Sequence, residues 1–284
     1  MNDYFHNCVG YWNRWIFGTD MTTEYYREVG LYYDKDALDY DSRYWDNPVL
    51  QKIRQSFREE TKRFSGSSML EIGCGTGLDL VHFGQTHPSR DIYGIDVSAE
   101  MIQRTRDRIK TSGCTNIEAR QGSEIEIHTL FPHQTFDVIY VFFGALNTTE
   151  DLRRAARHIS EALNPGGHLV LSFVNKWYLG GMLIDLIRFR FSKAFARLRP
   201  VWSGYSPVKY LPSHCYTPGT ILSAFSGLQL HQRKGYSIIH PAWYYTGINK
   251  RLLKFSRILW KVDTIINKSV LWQFGEYSLF VFKK

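Results

Sequence analysis

Hydrophobic and polar positions change rhythm along the chain. Residues 1–68 carry aromatic pairs in a helical setting, among them Tyr11-Trp12, Tyr25-Tyr26, Tyr32-Tyr33 and Tyr44-Trp45. Pro48 suits the first turn of a helix that continues through Ile53 and Phe57 to about Phe64. Ser65-Gly66-Ser67-Ser68 reads as a turn. Beyond it, short apolar runs alternate with helical stretches. Met69-Leu70-Glu71-Ile72, Ile92-Tyr93-Gly94-Ile95-Asp96, the run from Phe136 to Val141 and that from His168 to Val174 have the length and composition of buried strands. Helices are predicted from Leu78 to about Gln85, after a Ser98 cap with Met101, Ile102 and Ile109 as the apolar side, and from Glu150 to Leu163. Asn164-Pro165-Gly166-Gly167 stops the last of these. Strands alternating with helices predict a parallel sheet covered on both faces, an α/β sandwich.

After Asn175 the alternation breaks. The pattern predicts one basic helix over 176–199, a Pro/Gly/Tyr-rich loop over 200–220, a short helix over 220–225 and a strand over 229–239. A second long basic helix is expected over 248–268 and a closing strand over 277–282. In the first helix Leu183, Ile187, Phe191, Phe195 and Leu198 form an apolar stripe beside Arg190, Lys193 and Arg197. In the second, Leu252, Phe255, Leu259, Val262 and Ile266 stand beside Lys250, Lys254, Arg257 and Lys261. Four regions result: a helical cover (1–64), a sheet core (65–175), a basic substrate-binding or lid region (176–270) and a terminal strand that rejoins the sheet (271–284).

Composition sharpens this picture at three points. The 284 residues carry a formal charge of +8, yet residues 175–284 hold 17 Lys and Arg against three carboxylates, so the positive excess belongs to the last region. Such asymmetry suits an acidic partner, a membrane surface or nucleic acid. Aromatic residues make up 15% of the chain, a surplus that must pack in a core or around an apolar ligand. Cys8, Cys74, Cys114 and Cys215 are scattered, which excludes a disulfide framework and a zinc site; no metal site is expected. No run is long enough to span a membrane, and the start of the chain has no secretory pattern, so the expected location is the cytoplasm.

The chemistry concentrates in Glu71-Ile72-Gly73-Cys74-Gly75-Thr76-Gly77, a glycine turn between a strand and a helix. Asp96 ends the next strand, where its carboxylate can accept hydrogen bonds from both hydroxyls of a ribose. A dinucleotide site wants glycine where this chain has Leu78.

The pattern resembles the first motif of class I S-adenosylmethionine-dependent methyltransferases, and the resemblance covers residues from about 30 to 174. Asp96-Val97-Ser98-Ala99-Glu100-Met101 is similar to that family's ribose-binding strand end. Gln121-Gly122-Ser123 falls where the family has Gly-Asp beside the adenine; Ser123 replaces the acid, and Glu124 can substitute. Phe136-Asp137 through Asn147 resembles the fourth-strand motif, and Leu163 to Leu169 the turn before strand five. Tyr33-Asp34-x-x-Ala37-x-x-Tyr40-Asp41 is similar to a segment that folds over the cofactor, with Arg43 then placed to meet the methionine carboxylate. The resemblance implies a Rossmann-like three-layer sandwich with a mostly parallel seven-stranded sheet and S-adenosyl-L-methionine as cofactor. It implies cofactor contacts at Tyr33, Tyr40, Arg43, Glu71, Gly73, Cys74, Gly75, Gly77, Asp96, Val97, Met101, Gly122, Ser123, Glu124 and Phe142.

Methyl transfer from a sulfonium needs mainly an acceptor held in line and water excluded. His214 and His240 are the candidate general bases because histidine titrates near neutrality, although proximity alone can suffice. Phe143, Asn147, Asn175, Tyr178 and Tyr216 are candidate walls of the substrate pocket, with Tyr11 at its rim. The expected acceptor is oxygen, with nitrogen next, on a small, largely apolar or aromatic molecule. The basic region can also rest on anionic lipid, serving a lipid- or quinone-like substrate. An RNA or protein methyltransferase and a non-catalytic cofactor-binding regulator are the other readings. Against nucleic acid stand the missing Asn/Asp-Pro-Pro-Tyr-type motif and the lack of a recognisable RNA-binding module.

Overall fold

The computed structural model describes residues 21–204, 211 and 213–284; Cys8, Tyr11 and the aromatic pair Tyr11-Trp12 lie outside the described residues. Three helices come first: α1 (Met21–Asp36), α2 (Tyr40–Trp45) and α3 (Pro48–Thr61). Asn47 starts α3 by accepting from the amides of Val49 and Leu50 at 3.1 and 3.2 Å, and Pro48 takes the first turn, where its missing N–H costs nothing. Ile53 and Phe57 of α3 are buried against the sheet.

The core alternates as its hydrophobic rhythm predicts: β1 (Ser68–Ile72), α4 (Leu78–Thr86), β2 (Asp91–Asp96), α5 (Ala99–Ser112), β3 (Ile117–Gln121), β4 (Phe136–Val141), α6 (Leu152–Ala162) and β5 (Leu163–Val174). Ser98 caps α5 by accepting from the Met101 amide at 3.1 Å. The remainder comprises α7 (Leu179–Ile187), α8 (Pro218–Ala224), β6 (Gln229–Tyr236), α9 (Thr246–Arg251), α10 (Ser256–Ile266) and β7 (Tyr277–Lys283).

The seven strands form one sheet in the order β3-β2-β1-β4-β5-β7-β6. The first five run parallel; β7 is antiparallel to β5, and β6 is antiparallel to β7. Every residue of β1 is buried, as a strand covered on both faces requires. The apolar clusters around Ile139, Leu171 and Phe280 and around Met69, Val138 and Val281 draw on alternate residues of the strands, and so cover opposite faces of the sheet. The order reverses between β1 and β4, and open sheets of this type bind ligands outside the carboxyl ends of the strands at that switch.

Two expectations fail in the basic region. The helix expected over 176–199 stops at Ile187, and Phe189 adopts a left-handed backbone (φ +57°) that a continuous helix forbids. The helix expected over 248–268 is likewise divided into α9 and α10 by a single tight turn at Leu253–Phe255. Apolar spacing alone does not register such breaks. Nor is the first stripe buried: Leu183, Ile187, Phe191 and Phe195 face solvent.

Candidate functional site

The glycine turn after β1 is built for close approach. Gly73 has φ +73°, and a Cβ there would stand 2.5 Å from the Cβ of Ala145. At the end of β2, Asp96 accepts from the Gly75 amide at 2.8 Å and from the Ser98 amide at 2.9 Å. One carboxylate thereby locks the turn to the start of α5. Its surroundings desolvate it and push its pKa up to about 6, while the two amides pull the other way.

Helix α1 lies across this point. A Cβ on Gly30 would meet the Val97 carbonyl oxygen at 2.8 Å, so the helix packs directly on the loop after β2. Asp34 accepts from Ser98 Oγ at 2.6 Å and from the Glu100 amide at 3.0 Å. Asp41 accepts from Thr76 Oγ1 at 2.6 Å and also pairs with Arg108. The Tyr33–Asp41 segment is thus fastened to both the glycine turn and α5.

Together these elements enclose a first cavity with about 690 Å³ of empty space, its open mouth included. Of the expected cofactor contacts, Tyr33, Tyr40, Gly73, Gly75, Asp96, Val97, Met101, Gly122, Ser123, Glu124 and Phe142 line it. Arg43, Glu71, Cys74 and Gly77 do not. Gly77, with φ +78°, is packed against Thr105. Glu71 and Cys74 border a small side pocket with Arg54 and Asp79. Burial, with Asp79 nearby, pushes the Glu71 pKa well up, and Tyr140 donates to it at 3.3 Å. Burial likewise raises the Cys74 thiol. Arg43 pairs with Asp36 on the wall of a second cavity.

At the adenine end expected from the sequence, the Ser123 amide donates to the Glu126 carboxylate at 2.8 Å within a capping box, and Ser123 Oγ donates to the same carboxylate at 2.7 Å. Its hydroxyl proton is therefore committed. The buried Glu124 accepts from Tyr26 and from Thr149 Oγ1 at 2.5 Å, and burial raises its pKa. The spacing of Tyr26, Thr148 and Thr149 gave no signal, because the fold alone brings α1 to the loop after β4.

The second cavity holds about 1270 Å³ of empty space. Tyr32, Tyr44, Trp202, Trp243, Tyr244 and Tyr277 give it an aromatic wall, and Asp36, Arg43 and Arg54 are its charged groups. Tyr33, Tyr40, Phe143 and Thr148 border both cavities. Phe143, at this junction, is held at φ +52°, a strained conformation of the kind that clusters at functional sites. Arg54 is buried, pairs with Asp79 and lies over the rings of Tyr44 and Phe143; its Nε has no partner among the described residues.

The other candidates take structural positions. Asn147 lines the second cavity, but its amide donates to the carbonyls of Val174 (3.2 Å) and His214 (2.6 Å) and accepts from the Val174 amide (2.9 Å). Asn175 bridges Gly275 and Ser278, the Tyr178 hydroxyl accepts from the Ala242 amide, and Tyr216 packs edge-on against Phe173; none of the three lines either cavity. His214 Nδ1 lies 2.9 Å from the Pro200 carbonyl oxygen. His240 is buried and stacked on Trp260, with Nε2 3.0 Å from Ser256 Oγ, and burial lowers its pKa. Among the described residues no histidine lines either cavity.

A family model described as a methyltransferase domain matches residues 70–169. A demethylmenaquinone methyltransferase from Listeria welshimeri is 27% identical over 155 residues, which take in 52% of this chain and 63% of the relative. The match therefore spans under two thirds of that relative's length. Among solved structures, an S-adenosylmethionine-dependent methyltransferase from Mesorhizobium loti superposes with a TM-score of 0.54 at 20% identity, over 81% of this chain and 96% of that one. The cyclase SpnF superposes at 0.55 and 18% identity, over 83% of this chain and 80% of that one. At such identities the likeness is one of fold, and a fold shared with a cyclase does not name a reaction.

Proposed function

The chain carries a methyltransferase domain of the class I S-adenosylmethionine-dependent kind, and on that premise we propose that it binds this cofactor in the first cavity and methylates a small, largely apolar or aromatic acceptor in the second. The observation that carries the reading is the junction: Tyr33, Tyr40 and Phe143 border both cavities.

The first cavity has the chemistry this cofactor needs. Asp96 keeps lone pairs for ribose hydroxyls after accepting its two backbone amides. Glu124, Met101 and Phe142 offer a polar edge and apolar contacts for a flat base. Toward the second cavity, Arg54 and Arg43 are the cations within reach of a carboxylate.

Bound S-adenosylmethionine supplies an electrophilic methyl carbon on a positively charged sulfur. The chain's part is to aim a nucleophile at that carbon and keep water out. Aromatic walls around the junction do both by packing. Asp36 stands on the second cavity's wall, so the acceptor arrives as an anion or loses its proton to solvent or to Asp36. A phenol- or enol-type oxygen, acidic enough to arrive ionised, is therefore the preferred acceptor. The Listeria relative's name suggests a quinone-like ring as the acceptor and names no acceptor atom.

The test is to incubate the protein with methyl-labelled S-adenosylmethionine and an extract of its host cells, then extract with organic solvent. Protein-dependent label in the organic phase supports the reading. Label confined to protein or nucleic acid contradicts the acceptor class. Cofactor binding without any transfer would make the chain a regulator.

A further inference from the structure

The region after residue 174 has an outer surface that the substrate reading leaves unused. Its three carboxylates all point inward. Asp185 accepts from the Tyr245 hydroxyl at 2.9 Å, Asp263 from the amides of Ile238, Ile239 and His240, and Glu276 pairs with Arg197 at 2.8 Å. All three are buried, so the exposed charge this region contributes is positive among the described residues.

Apolar side chains stand among these cations. On α7, Gly181 and Asp185 face the protein, while Leu179, Leu183 and Ile187, each four residues from the next, form the opposite face. Leu183 is 60% exposed and Ile187 69%. The chain then turns at Phe189, which is 82% exposed in its left-handed conformation, between the exposed Arg188 and Arg190. The neighbouring elements repeat the composition: Leu253, Phe255 and Ile258 are exposed beside Lys250, Lys254 and Arg257. The two sets belong to one lobe, since Ile184 of α7 and Ile248 of α9 share a cluster with Tyr178 and Tyr245.

We propose that this face docks the protein on an anionic lipid bilayer. The occupant is argued from complementarity. Leucine, isoleucine and phenylalanine gain by entering the acyl boundary, and flanking arginine and lysine meet lipid phosphates. A second copy presenting the same patch would oppose cation to cation. Nucleic acid would use the cations and could stack on Phe189 and Phe255, but it gains little from Leu179, Leu183, Ile187, Leu253 and Ile258, which offer bases no stacking surface. Among the described residues no helix is long and apolar enough to cross a membrane, so the attachment is peripheral. Trp202, Trp243 and Tyr244, which wall the second cavity, come from this same stretch of chain.

The docking claim does not depend on methyl transfer, because vesicle binding is read without turnover. The whole chain is sedimented with phosphatidylcholine vesicles, with and without phosphatidylglycerol. Strong binding only with phosphatidylglycerol, weakened by salt, is expected. Leu183→Asp, or Ile258→Asp on the other element, should cut binding at least about tenfold while circular dichroism stays unchanged, because both positions are solvent-exposed. Equal binding to both vesicle types, no binding, or full binding by both variants would overturn the proposal. So would a stable oligomer that vesicles fail to dissociate, or binding to RNA that vesicles fail to compete away.

Discussion

Asp96 carries the most at the scale of single residues. Its pKa of about 6 means that the carboxylate is charged at neutral pH and protonates a little below it. The charged form is the better acceptor of ribose hydroxyl hydrogen bonds. Cofactor affinity should therefore be flat above about pH 7 and fall as the pH drops through about 6. By reciprocity, cofactor binding lowers this pKa and releases protons near pH 6. Calorimetry in buffers of different ionisation enthalpy reads that release directly; uptake instead of release would contradict the assignment. Gly73 gives a second prediction at this scale. Gly73→Ala forces a Cβ against Ala145 at a left-handed φ, so it should weaken cofactor binding in an equilibrium titration while the protein stays folded. Unchanged affinity would mean the turn has more room than its geometry gives it.

Among elements, the join between α3 and α4 carries the cover. Asp79 is buried and accepts from both Arg54 and Arg58, the latter at 2.6 Å. Asp79→Ala leaves the buried Arg54 and the half-buried Arg58 without their counter-charge, a loss of about 3–5 kcal/mol that a urea titration would measure. A loss near zero would mean the arginines find other partners. Nothing in the spacing of Arg54, Arg58 and Asp79 announced this cluster, because tertiary packing alone brings α3 to α4. The strands, the helix cap at Ser98 and the helix start at Pro48 were legible, since they follow from local chemistry and burial period. So was the Tyr33–Asp41 segment, whose motif is local. The breaks at Phe189 and Leu253–Phe255 were not, because both sides of each break keep helical apolar spacing. The candidate histidines failed to reach the cavities for a related reason: titration range says nothing of where a loop carries a side chain. His214 and His240 each spend a ring nitrogen near a backbone carbonyl instead.

For the whole molecule, the switch in strand order, the covering α1 and the aromatic second cavity form one arrangement, a site at the glycine turn and Asp96 opening onto an aromatic-walled one. The sheet and the glycine turn were readable as pattern. The second cavity was not, because its walls come from α2, α3, the loop after β4 and the stretch from Trp202 to Tyr244, which are far apart in sequence. The account stands on the first cavity holding S-adenosylmethionine through Asp96. The most direct measurement is a calorimetric titration of the protein and of Asp96→Ala with that cofactor, side by side at about pH 7.5, where the carboxylate is charged. The account predicts one site per chain and an affinity at least about tenfold weaker in the variant. No binding to the unaltered protein, or equal affinity in both, would contradict it.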